Sequence, residues 1–338
     1  MTPDRWITAL ESGALLLPEE GRVLVMRARG DARLDAFGAD RVLAVQSFFP
    51  DHARLTARGF ETLAEMDAET APDISVALVQ IVKSKTDTLN ALAEAIVLTR
   101  PGGLVLVDGQ KGEGIESILK DIKKLLPVEE VLSKSHGKLF WFERPATIPE
   151  QIIAWIAEPN EIEGGYIVPP GGFSADHADP GSELLVALVP ALKGRVADLG
   201  AGWGFIAANL LDEQDAISSL DLVEADWRSL EAARVNIEDE RASFFWDDAR
   251  SFKPAELYDA IVCNPPFHTG READPNLGRA FIAAAARILK PSGQFFMVAN
   301  RHLPYEAALK EHFGTGKMLA EIQGYKLYQA AKPVRARR

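Results

Sequence analysis

Cysteine is almost missing from this 338-residue chain. Cys263 stands alone, which excludes an internal disulfide framework and makes a reducing cytoplasm the expected setting. The six histidines, at positions 52, 136, 177, 268, 302 and 312, fall at no metal-ligand spacing, so no structural zinc is expected. No apolar run approaches the roughly 20 residues needed to cross a bilayer, and no membrane role is expected. Met1 to Glu11 mixes acidic and basic residues without a sustained apolar core, so no secretory leader is expected either. Positive charge is also short: 37 Lys and Arg face 49 Asp and Glu, a net −12. Up to Gly165 there are 18 basic and 26 acidic residues, and after it 19 and 23, so neither half is basic. Tight nonspecific binding to naked duplex needs a basic footprint and is not expected on that balance, although an acidic protein can hold a local basic patch. The short tail from Lys332 to Arg338, with four cations in seven residues, is a small exception. Were the substrate a nucleic acid, a folded or protein-coated RNA would fit better than bulk DNA.

What is present is a soluble globular composition, 47% hydrophobic and 25% charged, with length for two domains. Apolar runs at residues 22–26, 41–46, 74–82, 104–108 and 138–142 read as strands, and 86–99 and 114–126 as helices. Such alternation predicts a mostly parallel sheet flanked by helices. Prolines at 145, 149, 159, 169, 170 and 180, with paired glycines at 164–165 and 171–172, mark a boundary. The expected domains are residues 1–158 and 159–338. The second half repeats the rhythm: strands at 195–199, 219–223, 242–246, 258–263 and 294–298, helices at 182–192, 205–211, 228–237, 276–289 and 305–313, and two short strands around Gly324. Two α/β halves of similar size suggest a diverged internal duplication.

The halves differ in one loop. Asp198-Leu199-Gly200-Ala201-Gly202-Trp203-Gly204 is a glycine-rich strand-to-helix turn, and the first half has no counterpart. Gly200, Gly202 and Gly204 let the backbone turn sharply and approach a ligand, while the following helix N-terminus offers unpaired amides. A dinucleotide fingerprint would require G-x-G-x-x-G; even spacing, with an acid two residues ahead, favours S-adenosylmethionine over NAD. Glu224 ends the next strand and can accept both ribose hydroxyls, with Asp226 as the alternative. Asp248 is expected to accept from the adenine amino group, with Asp247 as its rival. Asp198 is expected to orient the loop and meet the cofactor's ammonium group.

Asn264-Pro265-Pro266-Phe267 follows the apolar strand 258–263. An amide oxygen at Asn264 and a carbonyl at Pro265 can accept the two N–H groups of a planar exocyclic amine. They would draw its nitrogen toward tetrahedral geometry and stabilise the charge that develops on methylation. Pro265 and Pro266 fix φ, and Phe267 offers a face on which a base can stack. His268 reads as a loop residue, and Cys263 as a small core residue.

On these residues the second half resembles the bacterial ribosomal RNA guanine-N2 methyltransferases, particularly the small-subunit 16S enzyme and its large-subunit relative. Asn264-Pro265-Pro266-Phe267-His268-Thr269-Gly270 is similar to the family's extended Asn-Pro-Pro-Phe-His-x-Gly. Val298-Ala299-Asn300-Arg301-His302-Leu303-Pro304-Tyr305 resembles its Val-Ala-Asn-x-x-Leu-Pro-Tyr. Phe173-Ser174 and Asp179-Pro180-Gly181-Ser182 before Leu184-Leu185 resemble its lead-in, and Tyr325-Lys326-Leu327-Tyr328 its close. Val82-Lys83-Ser84-Lys85 and Pro101-Gly102-Gly103 look like landmarks of its N-terminal domain. The resemblance implies two Rossmann-like methyltransferase domains, the C-terminal one a class I S-adenosylmethionine binder. It also implies a degenerate N-terminal domain, without cofactor, that supports folding and RNA recognition. The implied reaction is methylation of a guanine 2-amino group in ribosomal RNA, most simply 16S rRNA in the small subunit. The expected partner is ribosomal RNA or a ribosomal subunit, and the simplest oligomeric expectation is a monomer. Adenine-N6 methylation, glutamine-N5 methylation of a protein and a non-catalytic cofactor-bound assembly factor are the competing readings.

Overall fold

Most strands of this chain are apolar at successive positions rather than alternate ones, which requires cover on both faces of a sheet. Two sheets meet that need in the computed structural model, which describes residues 4–172, 174, 176–266 and 275–335. The chain divides into two compact units, Met1–Glu158 and Pro159–Arg338.

The first unit holds β1 (Arg22–Met26), β2 (Val42–Val45), β3 (Glu61–Leu63), β4 (Ile74–Gln80), β5 (Thr99–Gln110), β6 (Glu130–Lys134) and β7 (Gly137–Glu143) in the order 3-2-1-4-5-7-6. The first five are parallel and the last two antiparallel. In the second unit a short hairpin, β8 (Asn160–Glu161) and β9 (Ile167–Val168), precedes the larger sheet. That sheet comprises β10 (Gly194–Leu199), β11 (Ile217–Glu224), β12 (Ala242–Trp246), β13 (Tyr258–Cys263), β14 (Leu289–Asn300), β15 (Phe313–Ile322) and β16 (Tyr325–Pro333). Its order is 12-11-10-13-14-16-15, the same path through seven strands.

Side chains alternate between faces along each strand, so each sheet feeds two cores. In β13, Ile261 and Cys263 pack against the helix Pro275–Ile288 side, while Ala260 and Val262 join Leu210, Leu230 and Ala233 on the other. Both chain reversals at strand ends follow the order 3-2-1-4, which places the topological switch point between β1 and β4, and between β10 and β13.

Register makes the duplication specific. The excursion through Pro101-Gly102-Gly103 lies between the pairs Ile74↔Thr99 and Val76↔Leu104. The one through Pro291-Ser292-Gly293 lies between Tyr258↔Leu289 and Ala260↔Gln294. Both segments fall within long strands whose register shifts there and resumes. The closing strands are 10 and 9 residues long rather than short, forming the sheet's antiparallel edge. Helices Arg5–Glu11 and Phe49–Ala57, and strands β3 and β6, were not expected; all four are short or mixed in polarity.

Candidate active site

The glycine-rich loop leaves β10 at the switch point with three left-handed residues, Gly200 (φ +77°), Gly202 (+57°) and Gly204 (+91°). At Gly204 a Cβ would come within 2.9 Å of Ile237, so packing as well as φ demands glycine. At Gly202 a Cβ would meet nothing within 4 Å: this residue faces open space, as a cradle for a ligand must. Helix Phe205–Glu213 starts directly after the loop.

Glu224, at the end of β11, braces that cradle. Its Oε2 accepts from the Gly202 amide at 2.8 Å and its Oε1 from the Asp226 amide at 2.8 Å. A carboxylate has about four lone-pair sites, so accepting capacity remains for a hydroxyl. Burial raises its pKa, and the Asp226, Gly202 and Ala225 amides oppose the rise. Asp198 lies beneath the loop, wholly buried, and neither carboxylate oxygen has a full hydrogen-bond partner among the described residues. Burial, reinforced by the Glu224 charge, pushes it up to about 8, with the Ala207 amide opposing. Burial and Asp198 also push the Cys263 thiol upward, in keeping with an inert core residue.

Asp226 caps helix Trp227–Asn236, its Oδ1 accepting from the Arg228 amide at 3.1 Å. Asp248 is engaged elsewhere: its carboxylate accepts from Arg250 Nη2 at 2.7 Å and Nε at 2.8 Å. Asp247, half-buried, accepts the Asp248 amide through Oδ1 at 2.6 Å, and its own amide donates to the Glu224 carbonyl at 3.1 Å. Burial raises its pKa.

Asn264 projects from the end of β13, beside the loop. Its Nδ2 donates to Asp179 Oδ2 and Ser182 Oγ, each at 2.8 Å, while Oδ1 is buried without a partner among the described residues. Pro265 is buried and Pro266 exposed; Phe267 lies outside the described residues. Asn264, Gly200 and Gly202 line one cleft together with Asp179, Ser182, Trp203 and Phe205. Asp179 and Ser182 open helix Pro180–Leu188, capped by Asp179 with Pro at N1, where the sequence reading began the helix at Ser182 and gave these residues no part in the site. Their contact with Asn264 has no local signature.

The same positions of the first unit are occupied differently. By register, Arg27 stands where Gly200 does, Gln46 where Glu224 does and Gln80 where Asn264 does. The backbone frame persists: the Arg27 amide donates to Val45 at 2.9 Å as Gly200 does to Val223 at 2.8 Å. Yet Arg27, at φ +57°, reaches Asp87 and Ser47, and the Gln46 side-chain amide donates to the Ala28 carbonyl. The Gln80 oxygen accepts the Arg29 amide at 2.7 Å. Two short 3-10 turns replace the helix that would follow β1. The first unit thus fills with its own side chains the space that the second keeps for a ligand.

Residues 165–329 match the methyltransferase small domain family. Two similar proteins carry the name ribosomal RNA small subunit methyltransferase C. The one from Shewanella pealeana is 33% identical over 69% of this chain and 70% of its own length. The one from Shewanella oneidensis is 33% identical over 68% of each chain. Among solved structures, the T. thermophilus 16S rRNA N2 G1207 methyltransferase in complex with AdoMet and guanosine superposes with a TM-score of 0.79. It is 25% identical, covering 98% of this chain and 92% of that one.

Proposed function

Because the chain belongs to the ribosomal RNA small subunit methyltransferase C family and is an S-adenosylmethionine-dependent rRNA guanine-N2 methyltransferase, we propose that the cleft at Asn264 is where the guanine amine is held. The observation that carries this is the buried, unpartnered Asn264 Oδ1 beside an open glycine cradle. A buried acceptor without a donor costs free energy unless a ligand supplies one. The T. thermophilus enzyme names a guanine in 16S rRNA, and the equivalent guanine is the substrate this reading assigns.

The residues fit the cofactor. Gly202 leaves room at the loop, Glu224 keeps accepting capacity for a ribose hydroxyl, and Asp198 offers an uncompensated carboxylate for an ammonium group. Asp247 is preferred to Asp248 as the adenine contact, reversing the sequence preference, because Arg250 already engages Asp248. When bound, S-adenosylmethionine supplies a sulfonium methyl that passes to the guanine amine, the sulfur keeping the electron pair and an amine proton leaving to water. Asn264 Oδ1 accepts from that amine and steadies its growing positive charge, with the Pro265 carbonyl as second acceptor. Phe267 provides the stacking face for a base splayed from its helix.

The first unit, residues 1–158, serves folding and RNA recognition rather than catalysis; its filled pocket supports this. The acidic balance of the chain favours an assembled subunit over naked RNA as substrate. Asn264→Ala tests the site: cofactor affinity should stay within about two-fold while turnover falls at least ~100-fold. Unchanged turnover would remove Asn264 from the reaction. Nucleoside mass spectrometry of rRNA with and without the gene checks the product, since N2-methylguanine and N6-methyladenine separate.

A further inference from the structure

We propose that Asp179 is a positioning residue that sets which end of the Asn264 amide faces the substrate; this rests on Asn264 being the acceptor for the reacting amine. An amide side chain fits its site equally well in two orientations, oxygen and nitrogen exchanged, unless its neighbours discriminate. Here they do. Asp179 Oδ2, 2.8 Å from Asn264 Nδ2, is a carboxylate oxygen and can only accept. Ser182 Oγ, also at 2.8 Å, takes the second amide proton. Turning the amide over would set its oxygen against the carboxylate and forfeit the Asp179 bond, placing donors where the substrate amine needs an acceptor.

The carboxylate is itself held. The Ser182 backbone amide donates to the same Oδ2 at 2.9 Å, the N-cap bond of helix Pro180–Leu188, and both Asp179 and Ser182 are 7% exposed. An ionised acceptor on the amide nitrogen also draws positive character there and leaves Oδ1 more negative. The Asp179–Ser182 pair therefore orients the acceptor and strengthens it. In the first unit Asp4, at the start of helix Arg5–Glu11, bonds instead to Arg29 and the Arg33 amide. The Gln80 oxygen there faces inward to the Arg29 amide and its Nε2 has no partner, the opposite polarity to Asn264.

The test is a double-mutant cycle between Asp179→Asn and Asn264→Ala in the full chain. It is read by single-turnover methylation of small subunits lacking the modification, cofactor affinity by calorimetry, and thermal midpoint. Asparagine caps a helix as well as aspartate, so Asp179→Asn should keep the midpoint within about 2 °C. It permits both amide orientations, so the rate at saturating substrates should drop about 10- to 100-fold, with cofactor affinity within about three-fold. In the Asn264→Ala background the same change should slow the reaction by less than about two-fold. Multiplicative losses in the double variant would overturn the proposal, as would an affinity loss matching the rate loss, which would make Asp179 a cofactor contact. If Asn264→Ala alone leaves the rate intact, the site assignment fails; if only Asp179→Asn does, the positioning role fails.

Discussion

Asp198 should make cofactor affinity depend on pH in a direction opposite to that of the protein's stability. In the free protein its carboxyl is pushed up to about 8 by burial and by Glu224, so most molecules carry it protonated at pH 7. Binding a ligand ammonium against it requires the ionised form and expels a proton. Between pH 6 and 8 the ionised fraction rises about fifty-fold, and the association constant should rise by about that factor. S-adenosylhomocysteine, which keeps the ammonium, is a stable probe. Calorimetry at pH 7 in buffers of different ionisation enthalpy should count close to one proton released per site. Asp198→Asn mimics the protonated form: its affinity should be low and flat over the same range, with proton release abolished.

The stability sign is the reverse. A carboxyl whose folded pKa lies above its unfolded value of about 3.9 stabilises fully below that value and loses the contribution as pH rises through about 8. Asp198→Asn removes a buried charge and should raise the thermal midpoint of the ligand-free protein at pH 8 while weakening binding. An unchanged pH slope of affinity in Asp198→Asn would refute the reasoning, because the titrating group would then be another.

The Arg5–Asp108 pair, both side chains fully buried with Nη1 and Oδ1 2.7 Å apart, should lose about 3–5 kcal/mol on Arg5→Ala. Burial raises Asp108 to about 6 despite Arg5, so the urea-unfolding loss should be greater at pH 8 than at pH 5, where the acid can protonate. Gly204→Ala, forced to φ +91° with its Cβ against Ile237, should destabilise by about 2 kcal/mol or more, whereas Gly202→Ala should cost only about 1 kcal/mol. Asp247→Ala should weaken S-adenosylhomocysteine binding about ten-fold and Asp248→Ala less than three-fold, checked by the same calorimetry.

The parts of the site visible in the sequence are those whose chemistry is local. Three glycines after a strand report left-handed backbone, and Asn-Pro-Pro after an apolar run reports a rigid strand end. Asp179, 85 residues from Asn264, could not be paired with it because the pairing depends on how helix Pro180–Leu188 packs at the strand end. The proposed preference for Asp247 over Asp248 has a similar origin: sequence spacing placed both acids after β12, and only the fold shows Arg250 folding back on one of them. The α/β alternation and the two halves were legible from apolar runs. Strand lengths at the antiparallel edge were not, since β15 is exposed and mixed in polarity, and its pairing with β16 is what makes it a strand.

Comparing the halves separates the proposed cofactor site from its counterpart in the first unit atom by atom. Both keep the turn after the first strand, and both brace it from the end of the second: Gln46 Oε1 accepts the Phe48 amide at 2.9 Å as Glu224 Oε1 accepts that of Asp226 at 2.8 Å. The divergence lies in the second side-chain atom. Glu224 offers an oxygen to a loop N–H and stays able to accept, whereas Gln46 offers an N–H to a loop carbonyl and has no charge to give. With Arg27 in place of Gly200, the guanidinium occupies the region by pairing with Asp87, and by register Val25 stands where Asp198 does, so that position offers no carboxylate. A loop glycine restored at position 27 would therefore be insufficient to create a binding site. The acceptor at 46 and the helix after β1 would be needed as well, because open space, an acceptor and a helix N-terminus act jointly on a charged ligand.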